Sequence, residues 1–87
     1  MMVNERVQIH KGDSSGVFIH EQIATGTVVK VNEKSIRVHV AHIKYLTNGK
    51  TMCEYDVDEE ARFNFWKSIE NRQLYKNSKY GIIEIAH

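Results

Sequence analysis

Residues 25–40 read TGTVVKVNEKSIRVHV, and the way this stretch pairs with itself decides the fold. β-Branched residues alternate with polar ones on either side of NEKS, the period-two pattern of two half-buried strands joined by a tight turn. Pairing Val31 with Ile36 across that turn sets Val29 against Val38 and Thr27 against Val40, a consistent apolar face for burial. The same register sets Lys30 directly opposite Arg37 and Val28 opposite His39 on the other face. Like charges facing each other across an antiparallel pair destabilise it by up to about 1 kcal/mol. A bound anion would offset that repulsion. Solvation and salt screening of two long side chains would also reduce it.

Working outward, Val7 and Ile9 in VQI share a face, and Val17 and Ile19 resume the alternation after GDSSG (12–16). HIKYLTNGKTMCEY reads as a second hairpin turning at Asn48-Gly49, a pair suited to φ > 0. Between Val40 and Ile43 the alternation slips by one residue, which predicts a bulge or bend and leaves the facing of Tyr45 open. GIIEIA forms a last strand. Residues 58–76, DEEARFNFWKSIENRQLYK, carry two patterns. Asp58 before Glu59-Glu60, with Ala61, Phe65 and Ile69 at helical spacing, suits a capped helix. Phe63 and Phe65 alternating, with Glu70-Asn71-Arg72 as a turn, suits strand–turn–strand, which is favoured. Phe63, Phe65 and Trp66 are expected in the core, because a small barrel needs large side chains to fill it.

The 87 residues make one domain, 1–87, with 41% hydrophobic and 26% charged residues, an ordinary globular composition. The lone Cys53 has no internal disulfide partner, no apolar run reaches the length of a membrane span, and MMVNERVQIH lacks a signal-peptide stretch. A cytoplasmic, membrane-free protein is expected. The net charge of +1 excludes a histone-like nucleic-acid binder. The first fifty residues nevertheless carry seven Lys/Arg against four acids, and the remainder five against seven, so one side leans basic.

The leading strand, the Gly-bounded loop, TGTVVKV, the tight turn, SIRVHV and then RFNF…ENRQLYKNSKYGIIEI together resemble the small SH3-like β-barrels of bacterial and phage proteins. The resemblance spans nearly the whole chain. It implies a mainly β, strongly bent sheet of about five or six antiparallel strands closing on itself. Relatives of this kind often have Gly in the penultimate turn; Asn71 stands there in this chain and can adopt the same left-handed conformation. The resemblance bears on fold more than function, since such barrels bind proteins, RNA and DNA alike.

No motif points to catalysis. GDSSG fits G-x-S-x-G and nearly fits the GDSGG of trypsin-like proteases. A nucleophile elbow needs a helix after the serine, however, and a trypsin-like site needs His and Asp before it. VFIHEQI after Gly16 alternates like a strand, and no Asp precedes Asp13, so GDSSG is expected to be a polar loop. His10, His20, His39, His42 and His87 with Cys53 have no paired ligand spacing, and His39 and His42, three apart, are expected on opposite strand faces. DVDEE lacks the ligand count of a Ca²⁺ loop. No metal or cofactor is expected. The expectation is a non-enzymatic binding module contacting nucleic-acid phosphates through Lys30, Lys34, Arg37, His39, Lys44 and Tyr45, with His39 strengthening anion binding below neutral pH. The competing expectation is a protein-interaction module, an accessory or inhibitory subunit of a phage or mobile element, acting through a sheet edge or DVDEE. An open edge would also let two copies pair as a homodimer.

Overall fold

The structure is a computed structural model describing residues 3–15 and 18–86, with the side chains of 13–15 and 86 left out of the description. Six antiparallel strands follow in chain order: β1 (Arg6–Ser15), β2 (Phe18–Val31), β3 (Ser35–Thr47), β4 (Lys50–Ile69), β5 (Arg72–Asn77) and β6 (Gly81–Ala86). Each pairs with the next, and β1 returns to β6 through His10 opposite Ile82, so the single sheet closes into a ring. Among the described residues there is no helix, and so none long and apolar enough to cross a membrane.

Residues 58–76 are strand–turn–strand. Ile36 of β3 lies opposite Phe63 of β4, and both are fully buried. That pairing overrides the helical spacing of Ala61, Phe65 and Ile69, of which Phe65 and Ile69 stay 40% and 48% exposed. The turn at Glu70-Asn71 differs from expectation in one respect. The left-handed conformation falls on Glu70, with φ 55°, and not on Asn71. Asn48 and Gly49, at φ 52° and 82°, form the expected tight turn of β3–β4. Its tip is tied to β2, where Ile19 N–H donates to Asn48 Oδ1 and Asn48 N–H to Ile19 O, each at 2.8 Å.

The β2–β3 hairpin keeps Val31 opposite Ile36 and Lys30 opposite Arg37, and then departs from simple alternation. Val29 is an extra, unpaired residue, and Val28 takes its place opposite Val38. Val28 is therefore fully buried while Val29 is 37% exposed, the reverse of the sequence expectation. The physical reason is a bulge: one added residue reverses the phase of everything beyond it and bends the strand. Thr27 accordingly faces His39, and Gly26 faces Val40. A Cβ on Gly26 would lie 2.4 Å from the His39 carbonyl oxygen, so only glycine allows this approach of β2 to β3. The predicted slip between Val40 and Ile43 is present, and both side chains reach the core.

That core gathers Ile9, Val28, Ile36, Val38, Val40 and Ile43 from the first three strands with Phe63, Tyr75, Ile83 and Ile85 from the rest and Tyr80 from the β5–β6 turn. Phe65 and Trp66, expected there, are instead 40% and 41% exposed. A bulge between Phe65 and Lys67 frees Trp66 from the ladder. The GDSSG expectation also changes. Gly12–Ser15 are strand, paired with Phe18–Glu21 as the end of the β1–β2 hairpin, and Gly16 lies outside the described residues. A strand pairing is not the strand-to-helix turn that a nucleophile elbow requires.

Candidate functional site

Ile36, Val38 and Phe63 point inward, so Arg37 and Arg62, which alternate with them, point outward. The register then aligns three cations across three strands: Lys30 of β2 opposite Arg37 of β3, and Arg37 opposite Arg62 of β4. Sequence reasoning missed Arg62. Its signal was the alternation in RFNF, legible once 58–76 is read as strand. Lys34 joins from the β2–β3 turn, which docks on β4 through Phe65 N–H donating to Lys34 O at 2.8 Å. A cleft of about 350 Å³ lies at this junction, lined by Lys34, Arg37 and Arg62 with Glu33 as its one acid.

Part of this charge is already matched. Arg37 Nη1 lies 3.4 Å from Glu60 Oε1, with both side chains about half exposed, a pair worth about 0–1 kcal/mol. Lys30, Lys34 and Arg62 have no ion pair among the described residues. Three clustered cations without carboxylate partners create a positive potential that attracts an anion.

The acidic run of β4 explains what happens further along β3. His39 bonds Asp58 at 2.5 Å, and His42 bonds Asp56 at 3.0 Å and reaches Glu54 at 3.5 Å. Both histidines therefore turn to exposed carboxylates of the neighbouring strand. The slip at Ala41 removes the opposite facing expected from their spacing. His42 is held above its ordinary value, first by the hydrogen bond to Asp56 and further by Glu54, while desolvation opposes the shift. Glu59 is held by Lys79 at 3.0 and 3.1 Å. Each acid of DVDEE is thus bonded to a cation or an imidazole. No group of three or more His, Cys, Asp or Glu among the described residues is arranged to hold a metal ion.

Lys44 and Tyr45 are not part of the cationic row. Lys44 sits beside Glu54 in the register, well along β3 from Arg37. Tyr45 follows buried Ile43 by two residues and shares its inward face. There it stacks on Tyr55 with ring centroids 6.1 Å apart, and the two hydroxyls lie 3.3 Å from each other. The aromatic side chain near the cations is Trp66. Lys67 Nζ and Lys76 Nζ lie 4.2 and 4.7 Å from its ring centroid. Lys76 pairs with Asn64, two residues from Arg62 on the same outward phase. The band therefore runs from Lys30 through Arg37 and Arg62 to Lys76 and Trp66.

No protein-family model matches the chain, and neither a curated protein nor a solved structure shows significant similarity to it.

Proposed function

We propose that this chain is a non-enzymatic, SH3-like binding module of the cytoplasm that holds nucleic-acid phosphates on the outer face of β2–β3–β4. The observation that carries the reading is the row Lys30–Arg37–Arg62, closed on one side by Lys34 around the cleft at the β2–β3 turn. Like charges aligned across three strands cost stability. An anionic ligand offsets that cost and gives the alignment a use. Phosphate contacts are made by Lys30, Lys34, Arg37 and Arg62. The proposed contact set leaves out His39, which bonds Asp58; Lys44, which lies well along β3 from the row; and Tyr45, which stacks on Tyr55.

Four phosphate contacts on a single strand predict a slope of log K against log salt near −2.8, about a fifty-fold loss of affinity between 50 and 200 mM salt. Fluorescence anisotropy of labelled single-stranded DNA, RNA and duplex at those two concentrations tests this. The triple variant Lys30→Glu, Arg37→Glu, Arg62→Glu should remove binding while the thermal transition persists. Undiminished binding by that variant places the site elsewhere.

One observation favours a second reading, a protein-interaction module of the accessory or inhibitory kind expected of a phage or mobile element. Phe18, Ile19 and Met52 are each more than half exposed near the joined hairpin tips. A partner that co-purifies at moderate salt without nucleic acid, and is lost on Phe18→Ser with Met52→Ser, would establish it over the first.

A further inference from the structure

We propose that Trp66 is a stacking platform for an unpaired base, which makes the ligand a single-stranded nucleic acid. The inference rests on the phosphate-binding reading above and adds a site to it. Trp66 is the only tryptophan of the chain, and it is 41% exposed on the outer face although a small core would gain most from burying it. Trp66 follows Arg62 and Asn64 in the outward phase of β4, and the bulge between Phe65 and Lys67 leaves it unpaired in the β4–β5 ladder.

The ring lies in a positive field. Lys67 and Lys76 both approach it, at 4.2 and 4.7 Å, and neither has an ion pair among the described residues. A cation–π contact at an exposed site is weaker than a base stacked on an aromatic ring. A base therefore displaces a lysine from the indole, and the displaced ammonium becomes available to the phosphate attached to that base. Arg62 lies four residues away along β4, about 13 Å of extended chain, so one strand can reach both the cationic row and the ring. A base within a duplex is already stacked and paired. Duplex would engage the cations alone.

The single tryptophan makes the test direct. Intrinsic emission is titrated with oligothymidylate, with a duplex of the same length and with inorganic polyphosphate, beside anisotropy of the labelled oligonucleotides. Quenching by oligothymidylate with the same midpoint as the anisotropy, and none by duplex or polyphosphate, supports the platform. Trp66→Ala should then weaken oligothymidylate binding roughly five- to 150-fold and leave duplex binding unchanged. Trp66→Phe should recover part of the loss, and circular dichroism of both variants should retain the strand signal. Anisotropy binding with unchanged emission, or equal quenching by polyphosphate, overturns the platform and leaves the phosphate reading standing. No binding by either readout overturns both.

Discussion

Gly81 opens β6 at φ 114°, and a Cβ placed on it would lie 2.4 Å from the carbonyl oxygen of His10 and 2.8 Å from its carbonyl carbon. His10 is the residue through which β1 meets β6, so Gly81→Ala strikes the closure of the ring. Two costs combine. A non-glycine residue held at this φ costs about 1–3 kcal/mol. Relieving an overlap with backbone, which cannot swing aside, costs about another 1–3 kcal/mol. Their sum, about 2–6 kcal/mol, compares with roughly 4–13 kcal/mol of total stability for a domain of this length. At about 4–8 °C per kcal/mol, the midpoint should fall by at least about 8 °C. Gly49→Ala is the control: φ is 82°, but nothing lies within 4 Å of the added Cβ, so only the conformational cost remains. Urea unfolding of the two variants, read by circular dichroism, isolates the steric part as their difference. Equal losses in the two variants would refute the close approach of β6 to His10, and with it the closed ring.

Two further outcomes follow from local geometry. Glu70→Gly relieves a left-handed glutamate, worth about 1–2 kcal/mol, against glycine's entropic cost of about 0.5–1 kcal/mol. The thermal midpoint should rise by a few degrees, and a fall would place the strain of that turn elsewhere. His42, raised above its ordinary 6.5 by Asp56 and then Glu54, contributes stability that is complete below that value and is lost as pH rises through the higher folded value. Thermal midpoints between pH 5.5 and 8.5 should therefore decline more for the wild type than for His42→Gln, and parallel curves would show that the imidazole–carboxylate contacts contribute nothing.

The site was legible in part. Lys30 opposite Arg37 followed from hairpin pairing alone, because Val31, Ile36 and a four-residue turn allow few registers. Arg62 was not found, although RFNF alternates, because the helical spacing of Ala61, Phe65 and Ile69 competed with it locally. The pairing of Ile36 with Phe63 resolves that competition, and it joins residues far apart in sequence. The acidic run offered no sign that Asp58 and Asp56 would meet His39 and His42. Which carboxylate meets which imidazole depends on the slip at Ala41, and single bulges leave only a faint trace in alternation.

What the sequence by itself determined is the strand character of 25–40, the Asn48-Gly49 turn and the first cation pair, all products of a period-two pattern and of φ > 0 tolerance, which are local properties. Tertiary structure alone decided that Val28 and not Val29 fills the core, that a third strand adds Arg62 to the row, and that Trp66 faces solvent. Each of these depends on strand phase. Phase changes at every bulge, and a bulge persists only where the neighbouring strands and the packed core compensate for the hydrogen bonds it breaks.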